Sequence, residues 1–300
     1  MGFVPSYLNL SKSEIGERID ELFEFLNTCR VCPRNCGVDR VGGKKGFCKV
    51  GYYPMVSSYS PHFGEEDVLV GVRGSGTIFF TGCNIACVYC QNYQISQLMR
   101  GVEVDFETLA NMMIKLQELG CHNINFVTPT HQVPQIVRAV GIAIEKGLRV
   151  PLVYNSSGYD SVEVLKLLEG IFDIYMPDLK YSNNNFAVKY SYASNYFEVA
   201  KSVVKEMHRQ VGDLIVENGI AVRGLIIRHL VLPEGIAGSY EILRFIAEEV
   251  SLNTFINIMD QYRPLFKAYK YEELKRRIYL DEFYDVLNVA REMGFKRIYF

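Results

Sequence analysis

The chain has 300 residues, 49% of them apolar and 22% charged, with a formal net charge of -2. This supports a large buried core, either in one domain or in one domain with an appendage. The charge balance excludes bulk attraction to nucleic acid or an anionic membrane, and no apolar run reaches the roughly 18 residues of a membrane-crossing helix.

Residues Met1–Ser6 lack a basic region followed by an apolar one, so no signal peptide is expected. They match the Met-Gly-x-x-x-Ser acylation pattern, which is too short to carry an expectation. A first helix is expected over Glu14–Asn27. Ser11 and Glu14 can form a capping box, and Ile15, Ile19, Leu22 and Leu26 share one face. The next segment is rich in Cys, Gly and basic residues. Tyr59–Asp67, with Pro61 and Gly64, shows no periodicity, and loops built around a metal are expected there.

From Ile78 onward, strands alternate with helices. Strands are expected at Ile78–Thr81, Asn123–Val127, Val150–Tyr154, Ile171–Met176, Leu225–Leu232 and Thr254–Met259, with a short last one at Arg297–Phe300. Helices are expected at Phe106–Leu119, Val133–Lys146, Val162–Glu169, Phe186–Val211, Ser239–Val250 and Asp281–Met293. Asp105 and Ser161 serve as N-caps, and Gly120, Gly147 and Gly294 end their helices. Six β/α units call for a parallel sheet, and this repeat count favours an incomplete barrel. The expected fold class is α/β: a partial (β/α)6 TIM-like barrel over residues 71–300, with an N-terminal helix and Cys-rich metal-binding extension over residues 1–70.

Two cysteine groups carry the chemistry. Cys83-x3-Cys87-x2-Cys90 directly follows the first strand of the alternating region. Iron–sulfur clusters are held by thiolates, and a four-iron cluster normally takes four. Three on one loop leave one iron open to a small molecule. Zinc fits poorly, because its knuckles come as two short pairs. The second group, Cys29-x2-Cys32-x3-Cys36-x11-Cys48, has four cysteines and suits either a closed structural zinc or an iron–sulfur cluster. Nearby Arg30, Arg34, Arg40, Lys44, Lys45 and Lys49 form either a solvated face or a docking surface for an acidic partner. Eight cysteines without an export signal are expected in a reducing cytoplasm. Cys121 stands alone and reads as a buried thiol.

In barrels of this type, active residues gather where strands end. Polar clusters stand at the other expected strand ends: Thr128-Pro129-Thr130-His131, Asn155–Tyr159, Asp178-Leu179-Lys180, Arg228–Pro233 and Asp260–Pro264.

The cysteine loop and these stretches, spanning residues 74 to 264, resemble the radical S-adenosylmethionine (SAM) superfamily. Within it they resemble the glycyl-radical-enzyme activases, the PflX-like homologues of pyruvate formate-lyase activating enzyme. The resemblance implies a radical SAM barrel, a [4Fe-4S] cluster and SAM. It implies that Cys83, Cys87 and Cys90 ligate three irons and that Tyr89 packs near the adenine. It places Thr128 and Thr130 where the family has a Gly-Gly-Glu element contacting the SAM amino group, from which this sequence departs. Asn155, Ser156 and Ser157 match the third-strand turn facing SAM. Asn155 stands where some activases place an aspartate for a monovalent cation. Asp178 and Lys180 match the family's Asp-Leu-Lys, with Lys180 near the SAM carboxylate, and His229 matches the fifth-strand histidine at the SAM site.

The expected function is reductive cleavage of SAM to a 5′-deoxyadenosyl radical that takes hydrogen from a protein, a glycyl radical enzyme. A low-potential donor such as flavodoxin or ferredoxin would supply the electron. The alternatives are a radical SAM enzyme acting on a small molecule or another peptide, and a non-catalytic, metal-stabilised electron carrier or binding protein in which Cys121 fills the fourth position. No nucleic-acid or membrane partner is expected.

Overall fold

The computed structural model describes residues 3–300, so Met1 and Gly2 of the acylation pattern lie outside it. Ten strands form one sheet: β1 (Met55–His62), β2 (Ser75–Phe80), β3 (Val102–Glu103), β4 (Ile124–Val127), β5 (Leu152–Ser156), β6 (Ile174–Pro177), β7 (Ile215–Glu217), β8 (Ile220–Leu230), β9 (Phe255–Met259) and β10 (Ile298–Tyr299). The helices are α1 (Lys12–Asn27), α2 (Asp67–Val70), α3 (Tyr93–Ser96), α4 (Phe106–Glu118), α5 (Val133–Glu145), α6 (Val162–Leu167), α7 (Asn184–Ser191), α8 (Tyr196–Val211), α9 (Ser239–Glu249) and α10 (Leu280–Glu292).

The strand order is β10-β9-β8-β6-β5-β4-β2-β1-β3, with β7 paired to β8 off this path. From β2 through β4, β5, β6, β8 and β9 to β10 every pairing is parallel. This is the expected partial (β/α)6 barrel. The Ser11–Glu14 capping box forms as read, and Ile15, Leu22, Phe25 and Leu26 of α1 are buried.

Three expectations need correction. Residues 55–62 are not loop: they form β1, antiparallel to β2 and in the same sheet as the barrel. The single helix expected over Phe186–Val211 is two, α7 and α8, broken where Tyr192 and Asn195 take positive φ of 54° and 53°. Strand β8 begins earlier than read. It pairs with β7 in a hairpin whose Asn218 and Gly219 both have positive φ, as a two-residue turn of opposite hand to the common one requires.

The sheet has two faces with different packing. On the outer face, Phe126, Tyr154, Tyr175, Leu225 and Ile227 join the large core shared with the helices. On the inner face, Val153, Ile174, Met176 and Ile226 form a smaller cluster closed by Leu69 of α2. The strand ends above that inner cluster carry the polar groups. Among the described residues no helix is long and apolar enough to cross a membrane.

Candidate metal and cofactor centre

The Cys83–Cys90 loop leaves the end of β2 and is fastened by backbone bonds to two other segments. Ala86 N and Val88 N donate to the carbonyls of Ser191 and Tyr190 at the end of α7, and Lys267 N donates to Val88 O. All three cysteines are free thiols. The Ser191 hydroxyl donates to Cys87 Sγ at 2.9 Å, Ile85 N donates to Cys83 Sγ at 3.5 Å, and Ser96 Oγ lies 3.3 Å from Cys90 Sγ. Burial pushes the Cys87 thiol up to about 11 against the opposing pull of Lys180, and raises Cys83 and Cys90 as well. Thiols this poorly solvated lose their protons to a metal rather than to water.

Three strand ends meet beside this loop. Asp178, just past β6, accepts from Lys180 Nζ at 2.6 Å and from Arg228 Nε at 2.9 Å. Arg228 of β8 also donates to Asn155 Oδ1 of β5 at 3.0 Å and to Glu65 at 3.2 Å. Burial alone would raise Asp178, but Arg228 and Lys180 together hold it below the ordinary carboxylate range. Burial likewise opposes the charge on Lys180, yet Asp178 and the nearby Cys87 keep its pKa above the usual lysine value. The result is a nearly buried ionic group with its cationic end toward the cysteine loop.

The third-strand turn is rigid. Tyr196 of α8 places its hydroxyl 2.8 Å from Ser157 O and 2.9 Å from Asp178 O, joining the ends of β5 and β6. Gly158 has φ +72°, and a Cβ there would lie 2.5 Å from Asp178 O, so no other residue fits this contact. Ser157 Oγ and Asn155 Nδ2 are buried without a protein partner. Native proteins seldom leave such atoms unpaired. They suit the polar groups of a bound cofactor.

The other expected contacts are placed as follows. Thr128 directly follows β4 with φ +61°, and its N–H donates to Asn155 O. Thr130 and Ser156 donate their hydroxyls to Asp160, which Tyr154 also reaches. Their side chains therefore organise the turn from behind. The Tyr89 ring is buried against Tyr262 and Tyr181, with Tyr181 donating to its hydroxyl at 2.7 Å. His229 is fully buried, with Nδ1 2.7 Å from Leu179 O and Nε2 2.8 Å from Ser239 Oγ. Both nitrogens are engaged within the chain, and burial lowers its pKa to about 4. The sequence names Arg228 only as part of the Arg228–Pro233 cluster, and gives no role to Asp160, Ser191 or Glu65. Arg228 aligns with Asp178 across the sheet, and strand alternation puts it on the inner face with Asn155.

Comparison with known proteins decides the family. Residues 77–231 match the model of the radical SAM superfamily. The uncharacterized protein MJ0674 of Methanocaldococcus jannaschii is 34% identical over 98% of this chain and 81% of its own length. The chain belongs to the radical SAM superfamily. Among solved structures, HydG, a maturase of the [FeFe]-hydrogenase, aligns over 96% of this chain and 63% of its own with a TM-score of 0.50 at 12% identity, a likeness of fold alone. TYW1 with a lysine-pyruvate adduct bound aligns over 74% of each chain with a TM-score of 0.44 at 12% identity.

As a radical SAM protein, the chain is an enzyme of radical chemistry that uses a [4Fe-4S] cluster and SAM. Its residues fit that pair. Three unpaired thiols share one buried loop, hydroxyl and amide donors point at the sulfurs, and orphaned polar atoms stand on a neighbouring strand end. Hydrogen bonds to sulfur and burial are two means by which a protein sets a cluster's potential.

Proposed function

We propose that this radical SAM protein is a glycyl-radical-enzyme activase, which removes a hydrogen atom from a backbone glycine of a protein partner. The observation that carries the reading is the meeting of Asp178-Leu179-Lys180 and Arg228, both in stretches that resemble the activases, beside the Cys83 loop. When bound, the cluster and SAM supply a 5′-deoxyadenosyl radical able to take hydrogen from carbon.

The chain's own residues hold and orient. Cys83, Cys87 and Cys90 take three irons. Lys180 offers a compact cation to the SAM carboxylate, steadied by Asp178 and Arg228. Asn155, Ser157, and the backbone around Thr128, Thr130 and Ser156 supply polar contacts to SAM, while Tyr89 closes the apolar wall and His229, turned to the outer face, holds the Leu179 carbonyl beside Lys180. A reduced flavodoxin or ferredoxin in the cytoplasm is the electron donor. Cys29, Cys32, Cys36 and Cys48 hold a second metal.

The test uses anaerobically reconstituted protein, reductant, SAM and a glycyl radical enzyme of the pyruvate formate-lyase type. Formation of 5′-deoxyadenosine in step with a protein glycyl-radical resonance is the expected result. Deoxyadenosine production that responds only to an added small molecule, with no radical on the protein, would replace the protein substrate by a small one.

A further inference from the structure

We infer that Ser191 and Tyr181 are positioning residues that set the reduction potential of the cluster at the Cys83–Cys90 loop, through a chain of buried hydroxyls running from Tyr89 to the sulfur of Cys87. These roles need only the cluster of the radical SAM superfamily, and no glycyl-radical partner.

Ser191 ends α7, where two backbone bonds fix it beside the loop. Ala86 N donates to Ser191 O at 3.2 Å, and Val88 N donates to Tyr190 O at 2.8 Å. Cys87 lies between these two anchored residues, and the Ser191 hydroxyl donates to its sulfur at 2.9 Å. Behind Ser191 stands the Tyr181 hydroxyl at 2.8 Å, and behind that the Tyr89 hydroxyl at 2.7 Å. All four side chains are buried, Ser191 and Tyr181 completely. A buried hydroxyl has to find a partner. Elsewhere in this core, Tyr7, Tyr196 and Tyr262 find backbone carbonyls, and such bonds fasten one segment to another. The Tyr181 chain ends instead on a metal ligand. The other two sulfurs have weaker support: Cys83 accepts a long bond from Ile85 N at 3.5 Å, and Cys90 has the half-buried Ser96 at 3.3 Å.

One proton per hydroxyl sets the direction of the chain. A cysteine bound to iron is a thiolate and can only accept. Ser191 gives its proton to that sulfur, so the 2.8 Å contact is a bond only with Tyr181 as donor. Tyr181 then has no proton left for Tyr89. Tyr89 must donate to Tyr181, the reverse of the direction this bond takes beside a free thiol. All three hydroxyl dipoles thereby point toward the cluster, and aligned hydrogen bonds strengthen one another. Reduction adds negative charge to the cluster and its sulfurs. Donors aimed at a ligand sulfur stabilise the reduced state and so raise the potential.

The test is a redox titration of the anaerobically reconstituted protein without SAM, following the reduced-cluster resonance that SAM alters in a parallel sample. At a fixed applied potential, Ser191→Ala should lower the ratio of reduced to oxidised cluster roughly three- to tenfold, the worth of one hydrogen bond. Tyr181→Phe keeps the ring and Ser191, and should lower the ratio about twofold through lost alignment. Ser191→Thr should keep the parent ratio, and iron and sulfide content should be unchanged in all three. Formation of 5′-deoxyadenosine in Ser191→Ala should slow with a weak reductant and recover with a stronger one, a rescue that a merely misplaced loop would not show. Parent ratios in Ser191→Ala and Tyr181→Phe overturn the inference, as does a slow rate that the stronger reductant leaves slow. Should Ser191→Ala hold no cluster, Tyr181→Phe decides, and a parent ratio there removes the relay. A parent protein that shows these shifts yet places no radical on a partner fails the proposed function alone.

Discussion

At the strand ends the inner and outer faces of the sheet do different work with neighbouring residues. Inward, Asn155, Asp178 and Arg228 form an ionic group beside the cysteine loop. Outward, His229 is the very next residue of β8, yet it is neutral and held between Leu179 and Ser239. Alternation along a strand sends adjacent side chains to opposite faces. One residue of register therefore separates a group that meets cofactor from one that fastens helix to sheet. The same division runs below, where polar strand ends stand over a small inner cluster and aromatic residues fill the large outer core.

The comparison can be broken most sharply at the loop. Cys87→Ala should reduce reductive SAM cleavage to background, measured as 5′-deoxyadenosine; activity retained in that variant would remove Cys87 from the centre. Next, Arg228→Met leaves Asp178 and Glu65 buried without their shared cation, and should cost about 3–5 kcal/mol of stability. His229→Gln, one residue away, should leave SAM affinity nearly unchanged. A loss of SAM binding in His229→Gln as large as that in Arg228→Met would erase the distinction between the faces.

The outer face has its own signature in pH. The folded pKa of His229 is about 4, below the ordinary 6.5, because burial disfavours the charged ring. Between these values the unfolded chain binds a proton that the folded chain refuses. Stability is thus unaffected above pH 6.5 and falls as pH drops toward 4, by on the order of 3 kcal/mol from this residue. His131, also held near 4 by burial, adds a loss of the same sign. Urea midpoints of His229→Gln should fall less steeply over that range than those of the parent, and an identical slope would contradict the burial argument. The smallest effect is at Lys180. Its replacement by Ala should weaken SAM binding roughly 10- to 100-fold, the worth of one charge-assisted hydrogen bond, while cluster assembly is kept. Unchanged affinity would place Lys180 outside the site.

Most of the fold was legible because apolar periodicity alternates cleanly after Ile78 and caps mark the helices. What escaped had physical reasons. Pro61 argued against a strand, but β1 is flanked by β3 only at Met55 and Val56, so near Pro61 it is an edge where a missing N–H is harmless. The break between α7 and α8 falls at Tyr192 and Asn195, with neither glycine nor proline to announce it. The Asn218-Gly219 pair is a local signal of the β7–β8 hairpin, since both residues tolerate the positive φ that its turn requires. At the site, the cysteine spacing and the Asp178–Lys180 pair were readable as local motifs. Arg228 required knowing the register between β6 and β8. Arg40, expected with its basic neighbours on a solvated or docking face, is instead buried, because its partners are carbonyls at Gly51 and His131, 11 and 91 residues away in the chain.

The central claim is that the Cys83–Cys90 loop binds a cluster with one iron left for SAM. Electron paramagnetic resonance of the anaerobically reduced protein, recorded before and after adding SAM, tests it directly. The account predicts a cluster signal that changes on SAM addition in the parent and is lost in Cys87→Ala. A cluster signal indifferent to SAM in the parent would contradict it.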